Sequence, residues 1–145
     1  MTKKATVLLI TLCTGTALLT ACAAKKPQTA TLSLESNPTT GYLWECSQSE
    51  EIFNISQEYV SNDNPKNMEG VGGHDVFTLS PKEKGSTTVT FEYARPWEEE
   101  SDDNMRIRYE LNVDKNMQIE VESIGADNIG DDIETVPTVP QLEIK

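Results

Sequence analysis

The sequence predicts an all-β protein, an immunoglobulin-like antiparallel β-sandwich of about seven strands. Apolar and polar residues alternate in seven short runs, which are separated by clusters of Asn, Gly, Pro, Asp and Ser. A period of two residues gives each strand one apolar and one polar face, as the packing of two sheets requires. No stretch with the helical period is longer than about ten residues, so helices do not compete with this interpretation.

The predicted strands are identified by their apolar positions. In chain order these are Leu32 and Leu34; Tyr42, Trp44 and Cys46; Phe53 and Ile55; Phe77 and Leu79; Val89, Phe91 and Tyr93; Ile107, Tyr109, Leu111 and Val113; and Met117, Ile119 and Val121. We expect the domain to span residues 29–124. The polar segment 57–69 is predicted to be a long loop. The acidic segment 125–145 is predicted to be a mobile tail, in which at most weak docking is expected, through Ile133, Val136, Val139 and Leu142.

The first residues predict export. Two lysines precede the almost entirely apolar or small stretch from Ala5 to Leu19, which is typical of a signal peptide and too short for a stable membrane span. Leu19-Thr20-Ala21-Cys22 then matches a bacterial lipobox. We therefore expect residues 1–21 to be removed and Cys22 to be acylated, with residues 22–28 as a linker. The protein would be a bacterial lipoprotein, anchored to a membrane at the cell surface or periplasmic face.

Charge and cysteine content restrict the possible partners. The chain has a net charge of −12, and removal of residues 1–21, which hold two lysines and no acid, changes this to −14. Such a charge opposes binding to nucleic acid and insertion of the domain into anionic lipid. Cys13 would leave with the signal peptide and Cys22 would be acylated. Cys46 would then have no partner for an intramolecular disulfide.

No constellation of residues predicts catalysis or a cofactor. Cys46 and His74 are the one thiol–imidazole pair expected in the mature chain. Cys46 shares its strand face with Trp44, which indicates a buried structural thiol. One histidine and one free cysteine are too few for zinc, and the acidic residues lack the spacing of an EF-hand loop. We therefore expect no enzymatic activity, no cofactor and no metal site.

Three turn-rich segments are more informative. Asn37-Pro38-Thr39-Thr40-Gly41 is expected to be a stiff, narrow loop, because proline fixes its own φ and glycine permits the positive φ of a turn. Gly70-Val71-Gly72-Gly73-His74 can bring main-chain atoms close to a partner, and no Lys-Ser or Lys-Thr follows to make a phosphate-binding loop. Arg95-Pro96-Trp97 closes a strand, and its tryptophan is expected to be exposed, as in many binding hot spots.

The order of these segments predicts that they lie together. They follow the first, third and fifth predicted strands, and alternate loops of an immunoglobulin-like sandwich lie at the same end. Three stiff loops side by side would form a ridge that fits a V-shaped groove.

Together, the three segments resemble the inhibitory loops of the chagasin family. The members of this family are protein inhibitors of papain-like cysteine peptidases. The string Asn-Pro-Thr-Thr-Gly-Tyr-x-Trp at residues 37–44 is similar to the loop that the family places deepest in the peptidase cleft, with Thr39 as the expected tip. Residues 70–77 are similar to the family's Gly-x-Gly-Gly segment and the strand after it. Residues 95–97 are similar to the loop that packs beside the cleft, in which Arg95 would have a structural role.

The resemblance covers residues 29–123 and implies a reversible, tight-binding inhibitor that acts as a monomer on a papain-like cysteine peptidase. Residues 37–41, 70–74 and 95–97 would then bind the peptidase. An acidic run follows the third segment and lies outside the motif: Glu98, Glu99, Glu100, Asp102 and Asp103. It would repel an acidic peptidase and so narrow the range of target peptidases. Composition and fold also suit an alternative, a lipid-anchored immunoglobulin-like surface module with a non-peptidase partner.

Overall fold

The predicted all-β architecture is confirmed. A computed structural model describes residues 25–63, 68, 70–99, 104–128 and 141–145, which form two antiparallel sheets and one short 3-10 turn, Pro38–Thr40. The strands are β1 (Ala30–Ser36), β2 (Leu43–Gln48), β3 (Phe53–Ser61), β4 (Gly73–Pro81), β5 (Gly85–Ala94), β6 (Met105–Val113), β7 (Ile119–Asp127) and β8 (Glu143–Ile144). Cys22 and the predicted signal peptide lie outside these residues.

The two sheets divide the strands equally. One has the order β3-β4-β1-β8 and the other the order β2-β5-β6-β7. Pairing of β1 with β4 runs from Ala30 opposite Leu79 to Ser36 opposite Gly73. Within the described ranges, no helix is long and apolar enough to cross a membrane.

The core lies between the sheets and is formed by the inward positions that the alternation predicted. Phe77 of β4 and Phe91 of β5 meet edge to face at 4.9 Å between ring centroids, and Phe91 meets Tyr109 of β6 at 5.9 Å. These three rings are fully buried, so aromatic contacts join the two sheets at the centre of the molecule.

β2 contributes a second contact between the sheets. Trp44 is buried, and its Nε1 donates a 2.8 Å hydrogen bond to the carbonyl of Glu35 in β1, while its ring lies 4.9 Å from that of Tyr93. Cys46 pairs with Phe91, and burial raises the pKa of its thiol to about 12. A neutral thiol at physiological pH fits the predicted structural role, and His74 lies in the opposite sheet.

Two predictions of irregular structure were wrong in part. The segment from Gln57 to Ser61 belongs to β3, because its backbone pairs with β4 up to Ser61 opposite Gly73. β3 is an edge strand whose side chains are mostly exposed from Ser56 onward. Its polar composition is therefore that of a solvated edge, which resembles a loop when only local sequence is considered.

The predicted mobile tail is also wrong for the residues described there. β7 continues to Asp127, and Glu143–Ile144 forms β8 on the free edge of β1, where Ile144 pairs with Ala30. Leu142 and Ile144 pack against the core. This pairing joins residues more than a hundred positions apart, so local sequence gives no sign of it.

The end of the sandwich opposite the β1–β2 connection holds both ends of the described chain. We call this end the base; it comprises residues 25–29, the turns 49–52, 82–84 and 114–118, and residues 143–145. The amide of Gln28 donates to the carbonyl of Met117 at 3.0 Å, and Thr29 and Lys145 exchange two backbone hydrogen bonds of 3.0 and 2.9 Å. Gln118 Nε2 donates to the carbonyl of Lys26 at 2.9 Å.

The Trp44 contact predicts a large effect on stability. Trp44→Ala should lower the free energy of unfolding by roughly 3–5 kcal/mol, because it leaves a cavity and removes the hydrogen bond to Glu35. Leu43→Ala is the matched control, since Leu43 is its neighbour in β2 and is 39% exposed. Urea denaturation of both variants measures the difference, and equal stability would contradict this role of Trp44.

Candidate functional site

The segment after β1 is a hydrogen-bonded 3-10 turn. Asn37 precedes the turn, and its Oδ1 accepts from the amide of Thr39 at 3.3 Å and from the hydroxyl of Thr39 at 2.7 Å. The hydroxyl of Thr40 donates to the carbonyl of Asn37 at 2.7 Å. Gly41 ends the turn at φ +84°, a left-handed conformation that favours glycine. These bonds make the loop stiff, as the sequence predicted.

The same turn projects three side chains into solvent. Pro38, Thr39 and Thr40 are all exposed, whereas Ser36 at the end of β1 is buried. The loop is therefore a narrow exposed turn that follows directly on a buried strand end.

The glycine segment lies directly beside this tip. Asn37 Nδ2 donates a 3.1 Å hydrogen bond to the carbonyl of Gly70. A Cβ atom on Gly72 would lie 2.9 Å from the carbonyl oxygen of Ser36, so this close approach of two backbones requires glycine. β4 starts at Gly73, and His74 is a half-buried strand residue between Glu35 and Val60.

The segment after β5 turns at Arg95, where the amide of Glu98 donates to the Arg95 carbonyl at 3.0 Å. The Arg95 guanidinium lies 4.4 Å from the centroid of the Tyr42 ring and donates to Glu98 Oε1 at 2.9 Å. Tyr42 in turn stacks on Tyr93 at 5.2 Å. Arg95 thus braces the loop, as the resemblance implied. The tyrosine stack was not predicted, because its members are 51 residues apart in the printed sequence.

Trp97 is the most exposed large apolar side chain of the described residues, at 69%. Its ring nevertheless contacts the first loop, since a Cβ atom on Gly41 would lie 2.6 Å from Trp97 Cη2. The indole is held against the neighbouring loop on one side and is open to solvent on the other. This is the geometry of an apolar anchor that is positioned before a partner arrives.

The structure therefore brings all three predicted segments together. The surface formed by residues 37–41, 70–73 and 95–97 is called the three-loop edge below. The hydrogen bond from Asn37 to Gly70 joins the first two loops, and the contact of Trp97 with Gly41 joins the first and third. The confirmed result is the juxtaposition of the loops; that they contact a peptidase is still a prediction.

A polar cleft of about 320 Å³ lies next to the third loop. It is lined by Glu45, Glu92, Ala94, Arg95, Pro96, Glu98, Glu99 and Asn104. Burial disfavours ionisation of Glu92, but hydrogen bonds from Asn104 and Arg106 and the charge of Arg106 outweigh it and lower the pKa of Glu92. Sequence reasoning missed this cleft, because its lining comes from strands β2 and β5 and from both ends of the segment between β5 and β6. In the described parts of the chain, no group of three His, Cys, Asp or Glu residues is arranged to hold a metal ion.

A family model described as chagasin family peptidase inhibitor I42 matches residues 23–113. The chain belongs to the chagasin family. The match includes all three loops and ends at the last residue of β6, so β7 and β8 lie beyond it.

Two similar proteins come from protozoa. Amoebiasin-2 of Entamoeba histolytica is 34% identical over 68 residues, which cover 46% of this chain and 55% of that protein. Chagasin of Trypanosoma cruzi is 33% identical over 81 residues, which cover 52% of this chain and 72% of that protein. The chain thus spans about half the length of amoebiasin-2.

Two solved structures are also similar. One is the crystal structure of a cysteine protease inhibitor from Entamoeba histolytica, with a TM-score of 0.44 and 28% identity over 50% of this chain and 67% of the other. The other is the solution structure of Amebosin, with a TM-score of 0.49 and 26% identity over 59% of this chain and 80% of the other.

The contact of Trp97 with Gly41 predicts an effect of a single methyl group. Gly41→Ala should destabilise the domain by about 1 kcal/mol or more, because alanine is strained at positive φ and its Cβ would displace the indole. The fluorescence of Trp97 should change accordingly. Gly125→Ala is the matched control, because a Cβ atom there would have no neighbour within 4 Å. Thermal melts and emission spectra compare the two variants, and identical results for both would contradict the packing of Trp97 on Gly41.

Proposed function

We propose that this chain is a reversible, tight-binding inhibitor of papain-like cysteine peptidases. The observation that carries the proposal is the three-loop edge, in which the exposed turn Pro38–Thr40 and the exposed Trp97 are held side by side by contacts between the loops. Membership of the chagasin family supports the same function. The residues proposed to bind the peptidase are Asn37, Pro38, Thr39, Thr40, Gly41, Gly70, Val71, Gly72, Gly73, His74, Arg95, Pro96 and Trp97.

The proposed mechanism is steric occlusion of the active-site cleft. The narrow turn enters the cleft with Thr39 at its tip, and the other two loops contact the rims. Because the turn is ordered by its own hydrogen bonds, little conformational entropy is lost on binding. The stiff loop does not bring a scissile carbonyl into line with the catalytic thiolate, so the inhibitor is not cleaved. Strand β4 places His74 beside the edge and half-buried, which limits its contact with the peptidase to the accessible part of its ring.

Inhibition of papain tests this proposal directly. Residues 22–145 with Cys22→Ser, which avoids lipidation, should inhibit papain reversibly and be recovered intact after dissociation. Papain whose catalytic thiol carries a small blocking group should still bind the inhibitor, because occlusion needs no covalent bond. Absence of inhibition would overturn the proposed function, and a covalent adduct that requires the free thiol would overturn the mechanism.

Substitutions should separate the roles of two loops. Trp97→Ala should weaken inhibition by about 2 kcal/mol, or roughly 30-fold, mainly through faster dissociation. Thr39→Glu should block entry of the turn by its size and by the cost of desolvating its charge. Thr39→Ala is the control and should matter much less, because the Asn37 bond to the amide of residue 39 is retained. Inhibition constants and dissociation rates measure these effects.

Thermal melts of the same variants show whether a loss of inhibition is caused by unfolding. Thr39 and Trp97 are exposed and lie outside the core, so neither substitution should unfold the domain. If folded Trp97→Ala and Thr39→Glu variants both inhibited papain like the wild type, the three-loop edge would not be the inhibitory surface. The alternative of a surface module with another partner would then be favoured.

We further propose that Cys22 carries lipid and anchors the domain as a bacterial lipoprotein at the cell surface or periplasmic face. The support is the string Leu19-Thr20-Ala21-Cys22 after a short apolar stretch. The match to the family begins at residue 23, directly after this cysteine. Several acyl chains on one residue would hold the protein firmly at a bilayer that it does not span.

Metabolic labelling tests the anchor. In a bacterial host, a fatty-acid analogue should label the wild-type protein and leave Cys22→Ala unlabelled, because the acyl chain needs the sulfur of residue 22. Cys13→Ala is the control, since Cys13 lies within the predicted signal peptide and its loss should leave labelling unchanged. Equal labelling of the wild type and Cys22→Ala would contradict lipidation at this position.

A further inference from the structure

The lysines of the folded domain are segregated. Every lysine that the structure describes lies at the base, and each of them is exposed. They are Lys25, Lys26, Lys82, Lys84, Lys115 and Lys145. The three described arginines lie elsewhere, and each is paired with an acid: Arg95 with Glu98, Arg106 with Glu92, and Arg108 with Asp127.

The carboxylates are distributed differently. Five belong to the base, namely Glu50, Glu51, Glu83, Asp114 and Glu143, so its six lysines leave it with a net charge of +1. The rest of the described domain has twelve carboxylates and three arginines, a net charge of −9. Two of the basal carboxylates already pair with basal lysines, Glu51 with Lys82 and Glu143 with Lys145. The base is thus close to neutral and rich in exposed ammonium groups, whereas the part that carries the three-loop edge is strongly acidic.

The site of the proposed anchor is tied closely to the base. The carbonyl of Lys26 accepts the hydrogen bond from Gln118, so the chain is already fixed to the domain at residue 26. Cys22 lies four positions before this point, a distance of at most about 14 Å when the chain is fully extended. With an acylated Cys22, the base would therefore stay within one or two Debye lengths of the lipid headgroups, at about 8 Å each.

We propose that the base is a membrane-facing surface that lies on anionic lipid headgroups and holds the three-loop edge away from the bilayer. This inference rests on the lipid anchor proposed above. The lysines attract the headgroups at short range, and the acidic remainder of the domain is repelled by them, so both forces favour the same orientation. β1 runs from the base to the three-loop edge, and its seven residues alone separate the two ends by about 23 Å. A soluble peptidase would meet the edge without obstruction by the membrane.

Amine footprinting on vesicles tests this orientation. The full-length lipidated protein is reconstituted into vesicles of phosphatidylcholine, with or without about a third of phosphatidylglycerol, and exposed to a membrane-impermeant amine reagent. Mass spectrometry then measures the modification of each lysine. Lys25, Lys26, Lys115 and Lys145 should react several-fold more slowly on the anionic vesicles, and high salt should remove the difference. Ser61→Lys supplies a control amine beside the three-loop edge, whose reactivity should be the same on both kinds of vesicle.

Charge variants add a matched comparison. Lys25→Gln with Lys115→Gln should abolish most of the protection at Lys26 and Lys145. The double variant Ser56→Glu with Ser61→Glu lowers the net charge by the same two units, but on the exposed edge strand. It should preserve the protection at Lys26 and Lys145. Equal reactivity of the basal lysines on both vesicles, or equal protection of the lysine at position 61, would overturn the proposal. Failure of the protein to float with vesicles would instead refute the anchor, and papain inhibition measured in parallel is independent of both results.

Discussion

The antiparallel pairing of β1 with β4 is the constraint on which the rest of the structure depends. Its last pair, Ser36 opposite Gly73, sets the 3-10 turn beside the glycine segment, and its first pair, Ala30 opposite Leu79, fixes the chain at the base. The carbonyl of Glu35 in the same strand accepts a hydrogen bond from the indole of Trp44 in the other sheet. A shift of one residue in this register would turn the apolar positions of β1 to solvent and separate the first two loops.

Rigidity at the three-loop edge comes from contacts between the loops as well as within them. The Asn37 side chain bonds both to its own turn and to Gly70, and the Trp97 ring lies against Gly41. Arg95 is held between Tyr42 and Glu98, and these contacts fix the start of the third loop. An inhibitor that binds without being cleaved gains affinity from such order, because a flexible edge would lose more entropy on binding.

The two ends of the sandwich have different chemistry and, in our interpretation, different partners. One end presents a narrow turn and an exposed indole on an acidic part of the domain, and the other presents six lysines beside the start of the described chain. Strands β1 to β7, of six to ten residues each, keep these partners apart. The domain can therefore be tethered through one end while the other remains accessible.

The sequence alone determined the strands with clear alternation, the inward side of each, and the three loops, because these depend on local periodicity and on the backbone preferences of proline and glycine. It also predicted that the loops share one end, from the order of strands in an immunoglobulin-like sandwich. Only the tertiary structure decided features that depend on non-local pairing: the extension of β3 to Ser61, the docking of β8 on β1, and the packing of Trp97 on Gly41. Net charge, too, was fixed by composition, and it argued against insertion of the domain into anionic lipid. That the lysines gather at one end follows from the fold, because it brings turns and chain ends that are distant in sequence onto one surface.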